Sequence, residues 1–144
     1  MDNDKADVKS RIISAATEIV GRQIGVNLTI RELAKKADVN IAAVNYYFNS
    51  KDNLMQEVER TFADEFKKIN MFLSLEDDLP PKERLFQWAE MLMSYLMEYP
   101  GAISMFVLNV VSGWDSTVIP ELIHGLSNYL LPVVKKLIRC SDFK

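Results

Sequence analysis

The sequence predicts an all-α protein, an N-terminal three-helix head followed by a longer helical body. Two observations predict this class. Apolar residues recur at helical spacing through nearly the whole chain. The residues that cap or break helices, among them Thr29, Asn40, Ser50, Pro80, Pro81, Pro100 and Gly101, fall between the periodic segments rather than inside them. Internal repeats, low-complexity tracts and Pro/Gly/Ser-rich linkers do not occur in the sequence.

The first helix is expected over residues 6–23, where Ile12, Ala16, Ile19 and Val20 form one stripe with Ile13 beside it; Gly21 and Gly25 loosen its end. The stretch from Thr29 to Lys51 organises the rest. Thr29 followed by Glu32 has the spacing of a capping box, so a helix starts at about Ile30, with Ile30, Leu33, Ala34 and Ala37 inward and Lys35 and Lys36 outward. Asp38, Val39 and Asn40 stop it, because Asp and Asn side chains compete with the backbone for hydrogen bonds and favour turns. Asn40 then caps a second short helix from Ile41 to about Phe48, with Val44 and Phe48 inward. Two short helices joined so tightly read as a helix-turn-helix. The outward face of the second helix holds Ile41, Ala42, Ala43, Asn45 and Tyr46, small and uncharged where a solvated helix carries Lys and Glu. Such a face suits close approach to DNA: Ala and Ile touch thymine methyls, Asn bonds adenine edges or phosphate, and Tyr reaches phosphate.

Ser50 caps a long helix from Lys51 to about Leu73, with Leu54, Val58, Phe62, Phe66 and Ile69 inward and Glu57, Asp64 and Lys68 outward. It joins head to body, so its tilt would move the recognition helix. Residues 74–81 break the chain, the acidic run Glu76–Asp78 reading as a solvated loop before Pro80 and Pro81. A helix follows from Pro81 to Tyr99, with Leu85, Trp88, Ala89, Leu92, Tyr95 and Leu96 on its apolar side. Another runs from Ala102 to Ser112 and ends at Gly113, and a last helical stretch from Ser116 to Arg139 is expected to kink at Pro120 and Pro132. Trp88, Met91, Tyr95, Met105, Phe106 and Trp114 form a soft, aromatic-rich zone that suits a small apolar or amphipathic effector; each also reads as ordinary core packing.

The segment from Leu28 to Leu54, LTIRELAKKADVNIAAVNYYFNSKDNL, together with the leading helix, resembles the TetR family of transcriptional regulators, and its ending Tyr46, Phe48, Ser50, Lys51 is fairly specific. The resemblance covers residues 9–70. It departs at Asp38, where the family often has Gly, at Asn45, where it often has Tyr, and at Asn49, where it often has Pro. The resemblance implies that Thr29 and Arg31 meet DNA from the first helix of the pair. It places Asn40, Ile41, Ala42, Ala43, Asn45, Tyr46 and Tyr47 in the recognition helix and Lys51 on a phosphate. It also implies a helix-turn-helix domain over residues 1–50 and an effector-binding and dimerisation domain over 51–144. Proteins that this chain resembles carry two further helices, so a naturally short member, a truncation and a reading-frame loss all stand as explanations. Self-association is then expected on the helix from Leu122 to Ile138, whose Leu122, Leu126, Tyr129, Leu130, Val133, Val134 and Leu137 exceed one buried stripe.

Composition limits the function classes. The chain has 144 residues, 49% apolar, enough for a core, and a net charge of −3. That charge is split: eight basic and four acidic residues lie between Lys5 and Lys51, against nine basic and fourteen acidic from Asp52 onward, as expected when one end faces phosphate. No apolar run reaches the length of a membrane span and the start is acidic, so no membrane partner and a cytoplasmic location are expected. The single cysteine, Cys140, forbids an internal disulfide and reads as an incidental thiol. His124, with only Glu121 nearby, has no metal-ligand spacing, and no catalytic constellation or phosphate loop stands out; no enzyme, metal or cofactor is expected. The expected function is a DNA-binding regulator, a repressor that holds a palindromic operator as a homodimer and is released by an effector. The alternative is a truncated helical interaction protein that pairs with a full-length relative.

Overall fold

The computed structural model describes residues 2–25, 28–75, 78–112 and 118–139. The expectations placed on Glu76, Gly113, Trp114 and Cys140 fall outside those residues. The order is α1 (Asp2–Gly21), α2 (Ile30–Lys36), α3 (Ile41–Phe48), α4 (Lys51–Met71), a 3₁₀ turn (Phe72–Ser74), α5 (Pro81–Glu98), α6 (Pro100–Ser112), α7 (Val118–Gly125), a π-helical segment (Leu126–Leu130) and α8 (Leu131–Arg139). No strand occurs among the described residues, as the all-α reading requires.

The helix α4 is the axis. Its inward set alternates every three or four residues, and Leu54, Val58, Phe62, Phe66 and Ile69 are all buried as their spacing predicts. The upper half of that stripe closes a core with Ile12, Ala16 and Ile19 of α1, Leu33 and Ala34 of α2, Val44 and Phe48 of α3, and Ala102 and Met105 of α6. At the lower end of the stripe, Ile69, with Leu73 of the 3₁₀ turn, packs a second cluster with Trp88 of α5 and Val133 and Leu137 of α8. The boundary expected at residue 50 therefore divides chain topology, while the upper core runs through it.

Several boundaries differ from the sequence reading, among them the start of α6, which takes in Pro100 and Gly101 instead of beginning at Ala102. The first helix starts earlier, at Asp2, and stops at Gly21, where a Cβ would lie 2.6 Å from the Tyr99 ring. The long helix ends at Met71 and tightens into the 3₁₀ turn. Pro120 makes no kink, because it is the third residue of α7, where its missing N–H has no intrahelical partner to lose. Pro132 acts one turn earlier than itself: lacking an N–H for the carbonyl of Asn128, it follows a widened segment in which the Leu131 N–H bonds back to the Leu126 carbonyl. Ala89, expected inward, is exposed.

The apolar surplus expected on the last helix is redistributed. Val133 and Leu137 are used internally, while Ile123, Leu126, Leu131 and Ile138 are exposed together with Ile103, Val107, Val110 and Val111 of α6. No single described helix is long and apolar enough to cross a membrane; α5 and the start of α6 reach that length and composition only as a pair bent by 85°.

Polar groups are placed where they fasten elements. Trp88 Nε1 donates to Asn70 Oδ1 at 3.1 Å inside the lower cluster, tying α5 to α4. The buried Arg84 donates to the Leu75 and Leu79 carbonyls and holds the connection between α4 and α5. Gly101 lets the start of α6 touch the end of α1 backbone to backbone: a Cβ there would sit 1.8 Å from the Val20 carbonyl oxygen. Gly101→Ala should therefore push α6 off α1 and cost about 2 kcal/mol, the scale of an overpacked interior. A lowered urea midpoint at unchanged slope would report it.

Candidate nucleic-acid interface

The interface is built from three consecutive helix starts, each fixed by a side chain that the local sequence supplies. Thr29, in extended backbone, accepts the Glu32 N–H on its hydroxyl at 3.2 Å. Asn40 accepts the Ala43 N–H on Oδ1 at 2.7 Å. Ser50 accepts the Asn53 N–H at 3.1 Å, and Asn53 in turn donates Nδ2 to the Phe48 carbonyl at 2.9 Å, closing the sharp junction between α3 and α4. Each such cap is worth about 1 kcal/mol.

The turn between α2 and α3 is a Schellman motif. Val39 N–H bonds to the Ala34 carbonyl and Asp38 N–H to the Lys35 carbonyl, with Asp38 in the left-handed region at φ 53°. Val39 packs against the core, which completes the motif's hydrophobic contact. The left-handed position explains why a residue with no Cβ is favoured there and why Asp is tolerated, its short side chain being among the few that enter this region. After α3 Asn49 also has a positive φ, 58°, but its ψ is −36° and the Ser50 N–H turns back to the Phe48 carbonyl, a tighter turn than the one at Asp38.

These constraints fix what α3 presents. Val44 and Phe48 are buried, so the opposite face turns out by helical geometry. Ile41 and Tyr46 stand 45% and 69% exposed, large apolar areas left open by the described residues. Ala42 and Asn45 are exposed between them and Ala43 is half-buried. Asn40 is exposed but its Oδ1 is taken by the cap, leaving only its amide nitrogen for a ligand. Tyr47 is half-buried against the core and meets the Tyr46 ring edge-on at 5.2 Å, so it supports Tyr46 from behind. Thr29, Arg31 and Lys51 are exposed at the starts of α2 and α4, the helices that flank α3 in the chain.

Charge narrows in the same direction. Lys9 is held by Glu57 at 3.0 Å, Arg11 by Asp7, Arg22 by Glu18 and Glu98, and Lys36 by Glu18 at 3.0 Å. Arg31, Lys35 and Lys51 carry no ion pair among the described residues. Helical spacing marks Lys35 and Lys36 alike as outward residues; only the pairing of Lys36 with Glu18 sets Lys35 apart. Ser50 and Asn53, which pose α3 on α4, were likewise legible only in part: the cap was read, the Asn53 bridge was not.

Of the six residues expected around an effector, the five that lie among the described residues do not line one recess. Trp88 belongs to the lower cluster, Met105 to the upper one, and Met91 is exposed. Tyr95 and Phe106 pack on either side of Phe66, with ring centroids 5.4 and 5.0 Å away. A recess of about 870 Å³ lies instead between the 3₁₀ turn, α5 and α8, lined by Leu73, Arg84, Tyr129 and Lys136 among others.

Residues 12–58 match the family model for bacterial regulatory proteins of the tetR family. The probable HTH-type transcriptional regulator YttP of Bacillus subtilis (strain 168) is 30% identical over 128 residues, 88% of this chain and 59% of that protein. The HTH-type transcriptional dual regulator CecR of Shigella flexneri is 43% identical over 56 residues, 39% of this chain and 25% of that protein. The chain thus spans well under two thirds of the length of either relative.

The left-handed turn yields a stability test. Asp38→Gly should raise stability by about 1 kcal/mol by removing the strain of a Cβ in this region, seen as a melting temperature higher by about 3 °C.

Proposed function

We propose that this chain, whose residues 12–58 match the model for bacterial regulatory proteins of the tetR family, is a sequence-specific regulator of transcription, a repressor that reads a palindromic operator as a two-fold dimer. The observation that carries this reading is the face of α3: exposed Ile41, Ala42, Asn45 and Tyr46, uncharged, on a helix posed by caps at both neighbouring junctions. Two such helices one turn of DNA apart would enter successive major grooves. Thr29, Arg31 and Lys51 would hold phosphates around them and set the register.

The release step follows the long helix. A small apolar or amphipathic effector held in the body would favour one tilt of α4 over another, and α3 moves with α4 because Phe48 and Asn53 join them. Such a ligand shifts the equilibrium only by as much as it prefers the second state.

A second reading, a partner that acts by pairing with a longer relative, is favoured by the exposed apolar face of α6, where Val107, Val110 and Val111 are 54%, 61% and 79% exposed. Light scattering after size exclusion, with and without a duplex recovered by random-sequence selection, separates the two. A dimer that takes up a palindromic duplex supports the repressor; a monomer that selects no DNA supports pairing.

Two substitutions test the interface itself. Lys51→Ala should weaken binding to every sequence alike and reduce the slope of log affinity against log salt by about 1. Asn45→Ala should instead alter which base is preferred at one position of each half-site, a discrimination of about 1–3 kcal/mol. Unchanged binding in both variants would overturn the assignment.

A further inference from the structure

A smaller recess lies between α4, α7 and the π-helical segment. It encloses about 470 Å³, a size that suits a small organic ligand. Lys67 and Asn70 line it from α4, Pro120, His124 and Gly125 from α7, and Tyr129 from the π-helical segment. Asn70 is the unusual member, a polar side chain only 5% exposed. Its Oδ1 accepts the Trp88 Nε1 hydrogen at 3.1 Å, which fixes the orientation of the amide. The other end, Nδ2, has no hydrogen-bond partner among the described residues. It is not sealed off either: among those residues the one fully enclosed side-chain polar atom without a partner is Thr17 Oγ1, so Nδ2 keeps access to the recess that its side chain lines. An uncommitted donor on a buried side chain is uncommon and points to a ligand.

Gly125 keeps that donor open. A Cβ there would lie 2.7 Å from Asn70 Nδ2 and 3.3 Å from its Cγ. The backbone at Gly125 is ordinary helix, φ −60° and ψ −48°, where glycine is unfavourable, so the space over the amide is what calls for it. Lys67 brings the charge. It is exposed, sits three residues before Asn70 on the same face of α4, and pairs with no carboxylate among the described residues. No Asp or Glu occurs among the described lining residues. Asn128 holds His124 Nε2 at 2.6 Å, which fixes that ring, and Tyr129 and Pro120 offer apolar surface. The larger recess beside α8 lacks this combination: its buried cation, Arg84, is committed to the Leu75 and Leu79 carbonyls, and Asp78 lines it.

We propose that the recess between α4 and α7 binds a small organic acid as its carboxylate, one oxygen accepting from Asn70 Nδ2 and the pair facing the Lys67 ammonium, with the organic part against Tyr129 and Pro120. A carboxylate has acceptors for both donors and no proton to misplace. An ammonium compound would meet Lys67 with no carboxylate to hold it; a neutral apolar molecule would leave the Asn70 amide unpaired. The ligand would join α4 to α7, and α4 is the helix that carries α3. As an effector site it rests on the operator reading above, but binding is measured without DNA, so failure of either is distinguishable from failure of the other.

The test is calorimetric titration of the full chain with benzoate and, as its neutral isostere, benzamide. Benzoate should bind one per chain and about tenfold more tightly than benzamide, the effect of making the contact charge-assisted. In nitrogen-15 spectra it should move the Asn70 side-chain amide and, through Oδ1, the Trp88 indole resonance. Lys67→Met, a change at an exposed position, should remove the preference for the acid. Gly125→Ala, which covers the amide and leaves Lys67 in place, should weaken benzoate several-fold while the helical circular dichroism is unchanged. Equal binding of acid and amide, a preference that survives Lys67→Met, benzoate affinity unaltered in Gly125→Ala, or no heat with millimolar benzoate would each overturn the proposal.

Discussion

Everything in this structure hangs on the continuous apolar stripe of α4. Leu54, Val58 and Phe62 are fully buried, and each contributes about 1.5–3 kcal/mol by leaving water. The same stripe serves two clusters in succession, the upper one closing the head and the lower one the body. A single helix that belongs to both cores cannot change its tilt without disturbing one of them. Close packing makes that disturbance discrete rather than graded, because interiors at this density have few voids to absorb a small shift. This is the physical basis on which a body ligand would be felt at α3.

The head shows how little tertiary structure is needed to pose a recognition helix. Thr29, Asn40 and Ser50 each satisfy a backbone N–H three residues ahead, and the Schellman turn at Asp38 satisfies the carbonyls between α2 and α3. These are local bonds, so they act as soon as the helices form. Their consequence is negative as well as positive. Asn40 has one fewer group to offer a ligand because it caps, and Tyr47 is drawn into the core by its place on the helix behind Tyr46.

The junction of α1 with α5 and α6 follows a different logic. Gly21 and Gly101 remove side chains where backbones or rings must touch, so the end of α1 meets the start of α6 at a distance no Cβ allows. The ion pair beside that contact, Arg22 with Glu98, binds α1 to α5, and Lys9 with Glu57 binds the other end of α1 to α4; both withdraw cations from any phosphate. Among the described residues of the head, positive charge without an ion pair is thereby left on Arg31, Lys35 and Lys51.

The sequence by itself determined what depends on neighbours within a turn or two. Helix starts at Ile30, Ile41 and Lys51, the inward stripe of α4 and the outward face of α3 all follow from caps and from the 3.6-residue period, and the structure reproduces them. The tertiary structure alone decided which like residues have which fates. Lys36 is paired and Lys35 is not because Glu18 of α1 reaches one of them, and Trp88 and Met105 part company because α5 packs one against the lower end of α4 and α6 the other against its upper end. Pro120 falls among the first residues described for α7, and Pro132 follows a widened segment because it offers no N–H to the Asn128 carbonyl. Partner choice, burial against distant segments and the shape of a cleft are set by contacts far apart in the chain, and no local periodicity encodes them.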